Sequence, residues 1–130
     1  MTRDSELFEQ GLAVRREVLG SEFVDRSISG ATDFNRPFQE LIAEYVWGTL
    51  WSRPGLDRRT RALLNIGVLT ALGRMEEVKI YLNAAENVGV SRDDVQEVLM
   101  QTAIYCGIPA ALDSFRVAQQ FFNEQDAKGK

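Results

Sequence analysis

The sequence predicts an all-α fold, a single domain of about six helices, and three observations carry that prediction. Apolar residues recur at helical spacing along nearly the whole chain. No stretch alternates apolar with polar residues as a half-buried strand does, and no Asn-Gly or Asp-Gly pair marks a hairpin. A length of 130 residues, 45% of them hydrophobic and 26% charged, fits one domain spanning 1–130 and suffices for a core without disulfide or metal staples.

The elements follow in order. Leu7, Gly11, Val14 and Val18 form the first amphipathic row, which Gly20 closes. Residues 21–36, rich in Ser, Asp, Thr and Gly, read as an irregular connector anchored by Phe23, Val24 and Phe34. A second helix starts near Pro37, a residue tolerated in a first turn. Phe38, Leu41, Ile42 and Tyr45 form its expected core stripe, and Glu40, Glu44, Trp47 and Trp51 a second row. Ser52-Arg53-Pro54-Gly55 breaks this helix, and Asp57 has the character of an N-cap. The run from there to Leu72 is apolar nearly all round, which predicts a buried central helix over 57–72. A helix over 74–88 turns Val78, Tyr81, Leu82 and Ala85 inward and ends at Gly89. Ser91 with Asp94 has capping-box spacing, and Val95, Val98, Leu99, Thr102 and Cys106 continue the helical period. Gly107 and Pro109 interrupt before a last helix carrying Ala111, Phe115, Ala118 and Phe122, and the tail from Gln125 reads as frayed.

Composition narrows the function classes. A net charge of −4 argues against nucleic acid as the main partner. The charged start, Met1 to Leu7, lacks the apolar run of a secretory leader, and the longest nearly apolar stretch, Ala62 to Leu72, is too short to span a bilayer. No membrane partner is expected, and the cytoplasm is the expected location. The one cysteine, Cys106, has no internal disulfide partner. The chain contains no histidine, the commonest metal ligand and general base, so neither a metal nor another cofactor is expected. Chemistry then falls to Arg, Glu, Tyr and Trp.

Arg74, Glu77 and Tyr81 stand at i, i+3 and i+7, on one stripe of a helix. A cation, a carboxylate and a phenol in a row suit an Arg that holds an anionic substrate, a Glu that orients and a Tyr that donates a proton. The same spacing equally describes a surface ion pair with Tyr81 as a core aromatic. Glu44 shares its row with Trp47 and Trp51; a carboxylate facing an apolar cavity can serve as acid or base, while one facing water beside half-buried aromatics does nothing special. Arg53, Arg58, Arg59 and Arg61 cluster at a break and a helix start, where cations oppose the helix dipole, which hints at an acidic partner or a carboxylate ligand. Cys106, within Tyr105-Cys106-Gly107-Ile108-Pro109, reads as a buried small apolar residue.

Several of these stretches together resemble the carboxymuconolactone decarboxylase family. They are Arg16-Glu17-Val18-Leu19-Gly20, Phe38-Gln39-Glu40-Leu41, Glu44-Tyr45-Val46-Trp47-Gly48, Trp51-Ser52-Arg53-Pro54-Gly55-Leu56, Arg59-Thr60-Arg61, Ala71-Leu72-Gly73-Arg74, Glu77-Val78-Lys79 and Tyr105-Cys106-Gly107-Ile108-Pro109-Ala110-Ala111. The resemblance covers about residues 8–122. It implies a helical subunit that forms homotrimers or homohexamers and a cofactor-independent lyase or isomerase acting on a small anionic substrate, a carboxylated lactone or related keto-acid. It implies Arg74 and Glu77 as site residues and Tyr81 where the family motif, Arg-x-x-Glu-Leu-x-x-His, has its acid/base histidine. A phenol with a pKa near 10 can donate a proton but is a poor base at neutral pH. Tyr81, Glu77 and Glu44 are thus the expected catalytic residues, with Arg74 and Arg61 as anion clamps and Trp47, Trp51 and Tyr105 as pocket walls. The related peroxidase branch uses a CxxC pair on this helix; Arg74 and Glu77 stand there instead, so thiol peroxidase chemistry is excluded. The alternative is a non-catalytic helical oligomer used for ligand binding or assembly.

Overall fold

Each apolar row becomes a helix, and the residues between rows end it. The computed structural model describes residues 6–129. Along them run α1 (Glu6–Leu19), α2 (Ser21–Ser29), α3 (Arg36–Leu41) continuing into a π-helical segment (Ile42–Leu50), α4 (Arg58–Ala71), α5 (Met75–Val88), α6 (Arg92–Cys106) and α7 (Ile108–Lys128). No strand occurs among the described residues, and seven α-helices stand where about six were expected. Two compact units divide the chain, one up to Arg58 and one from Arg59 onward. The expectation of no leader concerns residues of which 1–5 lie outside the described range.

In the N-terminal unit α1 packs antiparallel on the π segment at backbone distance. Leu7 faces Gly48, Gly11 faces Ala43, and Arg15 reaches Gln39. A Cβ on Gly11 would fall 1.8 Å from the Ala43 carbonyl oxygen, and one on Gly48 would fall 2.7 Å from that of Leu7. Glycine is required at both places, because no real Cβ approaches a backbone oxygen so closely.

Three expectations for this unit are corrected. Residues 21–29 are helical, not an irregular connector. Burial of Val24, an i,i+4 Glu22–Arg26 pair and a Ser29 hydroxyl donating to the Asp25 carbonyl outweigh the turn-favouring composition. Phe34 is 96% exposed and anchors nothing, since it tips a turn closed by reciprocal bonds between Thr32 and Asn35. The buried face of the second helix is also not the expected one. Phe38 and Tyr45 lie more than half exposed, whereas Ala43, Trp47, Gly48 and Trp51 are buried. Close approach to α1 is possible only on the small-residue face, and that decides which side turns in.

In the C-terminal unit the inward rows are largely small: Ala62, Ile66 and Thr70 on α4, Val78, Leu82 and Ala85 on α5, Val95, Leu99 and Thr102 on α6, and Ala111, Ser114 and Ala118 on α7. A buried Thr70–Ser114 hydroxyl pair at 2.7 Å joins α4 to α7 and satisfies two polar groups that would be costly alone. Gly89 ends α5 in the left-handed region (φ 78°), and Gly107 (φ 106°) turns the chain between α6 and α7 where a side chain would be strained. The capping box at Ser91 and Asp94 forms as expected.

The 57–72 helix is not the buried centre of the chain. It starts at Arg58, and Leu64, Val68 and Leu72 are 52%, 51% and 66% exposed. Periodicity registers that all sides are apolar but not whether a neighbour covers them. The tail is not frayed at Gln125 either. Arg92 of α6 bonds Gln125 and Asp126 and lies 4.6 Å from the Phe122 ring centre, which carries α7 on to Lys128.

Candidate active site

Arg74, Glu77 and Tyr81 begin and line α5. Gly73 ends the preceding turn, and Arg74 is the N-cap, so its side chain leaves from a non-helical residue (φ −94°, ψ 73°). Glu76 and Glu77 occupy the first turn, where a carboxylate complements the helix dipole. Arg74 and Glu77 are exposed and Tyr81 is half-buried, one turn beyond the buried Val78. Arg61, on α4, is half-buried.

A concavity lies between α4 and α6. It holds about 460 Å³ and is lined by Leu64, Val68, Val98, Thr102, Tyr105 and Cys106, among others. Tyr105 stands on this groove and is 82% exposed. Arg61, Arg74, Glu77 and Tyr81 do not line this groove, and no charged side chain among the described residues does. A surface so apolar gains little from a carboxylate ligand. Cys106 is exposed on it, which corrects the expectation of a buried thiol: the α6 row turns Thr102 inward and leaves Cys106 at the open end.

Two of the clustered arginines serve the fold. Arg58 pairs with Glu17, and Arg59 binds Asp94 at 2.7 Å and the Gly89 carbonyl at 3.2 Å. The Ser91 backbone N–H and then the Arg59 guanidinium hold the Asp94 carboxyl below its ordinary value.

In the N-terminal unit, Glu44 sits half-buried on the π segment. Trp47 and Trp51 are each 3% exposed, with ring centres 4.9 Å apart and planes tilted by 32°. Burial this complete makes them core first. Arg15, which sequence reasoning passed over, is 7% exposed on α1 and bonds Gln39 across to α3. Its signal was present: with Gly11, Val14 and Val18 it completes an i, i+3, i+4, i+7 row, an arginine at a core position. Among the described residues, no three His, Cys, Asp or Glu side chains gather as metal ligands would, and no helix is long and apolar enough to cross a membrane.

The model of the Carboxymuconolactone decarboxylase family matches residues 36–120. The 4-carboxymuconolactone decarboxylase of Acinetobacter baylyi is 43% identical over 121 residues, which are 93% of this chain and 90% of that protein. The chain belongs to the carboxymuconolactone decarboxylase family. A second member of similar closeness, the nitrosuccinic acid decarboxylase npaB of Metarhizium robertsii, is 41% identical over 124 residues, 95% of this chain and 87% of that protein. The family match takes in α3, the π segment, α4, α5, α6 and most of α7, and hence every candidate residue singled out from the sequence, while Arg15 lies outside it.

Proposed function

We propose that this chain is a carboxy-lyase that removes CO₂ from a small polycarboxylic acid using side chains alone. The observation that carries this is the pair of relatives above 40% identity over nearly their whole lengths, both named decarboxylases. Their named substrates differ in skeleton, a carboxylated lactone and a nitro-substituted diacid, yet share one electronic feature. When the C–C bond to the departing carboxylate breaks, its electron pair passes into a neighbouring group and ends on oxygen, of the lactone carbonyl or of the nitro group. The delocalised anion then takes up a proton at carbon.

That sequence asks three things of the protein: a cation to hold the acid, donors near the developing oxyanion, and a proton source. In this proposal Arg74 and Arg61 are the cations. Tyr81 supplies the proton from its phenol and recovers one from solvent, and Glu77 orients Arg74. Glu44 is the candidate acid or base of the N-terminal unit, with Trp47 and Trp51 fixing its surroundings. Tyr105 belongs to the groove face. We further propose a cytoplasmic homo-oligomer, a trimer or hexamer, in which the α4–α6 face is covered by other copies. Supporting this, Leu64, Val68, Leu72, Met100 and Ile104 are each more than half exposed, all on α6 or on α4 and the turn that follows it.

The test is release of CO₂ from 4-carboxymuconolactone and from nitrosuccinate, followed directly and by absorbance. Turnover of either by the unmodified protein, cut about 10²- to 10³-fold in Tyr81→Phe with the fold intact, is the expected result. Release from neither acid, at protein concentrations where the oligomer is intact, leaves the assembly role in its place. Full activity of Tyr81→Phe removes Tyr81 as the donor and moves the proton to Glu44.

A further inference from the structure

Resting on the proposed acid–base role of Glu44, we infer that the π-helical segment is the device that aims this carboxylate, and that Thr49 is a positioning residue acting through it. A regular α-helix over 40–51 would place Glu40, Glu44, Trp47 and Trp51 on one row. The π segment breaks that row. Trp47 and Trp51 enter the core while Glu44 stays half-buried. Widening the helix therefore separates a carboxylate that has to meet an anionic substrate from two rings that have to exclude water.

The widened register is held by bonds that fit nothing else. In an α-helix, Ser and Thr hydroxyls return to the carbonyl three or four residues back. Here the Thr49 hydroxyl donates to the Glu44 carbonyl five residues back, at 3.0 Å, and the Ser52 hydroxyl to the Trp47 carbonyl, again five back, at 2.9 Å. The Trp51 N–H donates to the Val46 carbonyl with the same span, at 2.9 Å. From the other side, α1 clamps the residue before Glu44, since Gly11 rides directly on the Ala43 carbonyl. Glu44 is thus fixed at its own carbonyl by Thr49 and at its preceding peptide by α1. A π turn survives where other contacts compensate for its poorer bonding, and it concentrates at functional sites.

The experiment compares four variants on whichever of 4-carboxymuconolactone and nitrosuccinate the unmodified protein turns over. Glu44→Gln is expected to lose most of kcat. Thr49→Val, which keeps the shape and removes the donor, is expected to lower kcat by about tenfold with KM nearly unchanged, a misplacement effect. Thr49→Ser, which keeps the hydroxyl, is expected to restore it. Ser52→Ala removes the bond on the Trp47 carbonyl rather than on that of Glu44, and is expected to lower kcat clearly less than Thr49→Val does. Loss of kcat in Glu44→Gln with full kcat in Thr49→Val overturns the inference alone. Equal loss in Thr49→Val and Ser52→Ala, or no recovery in Thr49→Ser, means general loosening and overturns it as well. Full activity of Glu44→Gln overturns both the role of Glu44 and the inference built on it, leaving the decarboxylase proposal on Tyr81. No turnover of either acid by the unmodified protein overturns the function and the inference together.

Discussion

Gly11→Ala sets two physical effects directly against each other. Within a helix, replacing Gly by Ala gains about 1 kcal/mol of helix propensity, so on α1 alone the change should stabilise. The structure reverses the sign. The new Cβ would lie 1.8 Å from the Ala43 oxygen, 2.8 Å from the Ala43 carbonyl carbon and 3.0 Å from the Gly48 nitrogen. All three are backbone atoms, so no rotamer change relieves the clash. A carbon–oxygen contact needs about 3.3 Å, so α1 and the π segment must separate by about 1.5 Å. Contacts on both sides of the clash then open by a comparable gap, enough to forfeit at least a quarter to a half of each dispersion well, roughly. Overpacking of this kind costs about 1–3 kcal/mol, occasionally more, and here there is no soft side chain to give way. With the cost therefore at or above the top of that range, and about 1 kcal/mol of propensity set against it, the expected net loss is about 2 kcal/mol or more, or a fall in Tm of about 6 °C. Urea unfolding followed by tryptophan fluorescence is the assay, because both tryptophans of the chain lie in this unit. Gly55→Ala is the control: a Cβ there meets nothing within 4 Å, and its stability should stay level or rise slightly. A Gly11→Ala protein as stable as its parent would refute the backbone-contact packing.

Four further outcomes are expected. Asp94→Asn should destabilise at neutral pH by loosening the α6 cap and the Arg59 bond; because the Asp94 carboxyl is held below its ordinary value, its stabilisation is present above pH ~4 and is lost as pH falls through the lowered value, so parent and variant should converge in acid melts. Turnover should be nearly flat between about pH 6 and 8, since no side chain of this histidine-free chain ordinarily titrates there, and a limb near pH 6.5 in the rate profile would contradict the assigned donors. Arg74→Ala should raise KM and lower kcat together, whereas a rise in KM alone would make Arg74 a simple binding group. Val68→Glu puts a charge on the open α4–α6 face and should reduce the sedimenting mass at unchanged helicity; an unchanged mass would count against the proposed cover of this face by other copies.

The candidate residues were legible to different degrees. Arg74, Glu77 and Tyr81 were singled out by spacing; α5 carries Glu77 and Tyr81, while Arg74 stands just before it as the non-helical N-cap. Arg15 was missed because a lone arginine on an apolar row looks like an interruption until its burial is known. The arginine cluster suggested a partner, yet Arg58 and Arg59 find theirs within the chain, at Glu17 and Asp94. Those acids lie 41 and 35 residues away in sequence, beyond the reach of any local pattern.

What the sequence determined by itself is local. Apolar periodicity defined α1, α5, α6 and α7, and Gly20, Gly89, Gly107 and the Ser91–Asp94 box marked their ends, because those signals act within one helical turn. What only the tertiary structure decided is which side of a helix is covered. The 42–50 stretch left its α register and turned Trp47 inward, with Trp51 buried just beyond it, because two glycines let α1 approach to backbone contact. The 58–71 helix, apolar on every side, kept one row inside and left Leu64 and Val68 outside because its inward row and its neighbours' are small enough to close without them. Burial is a relation between two surfaces, and a single helix's sequence contains only one of them.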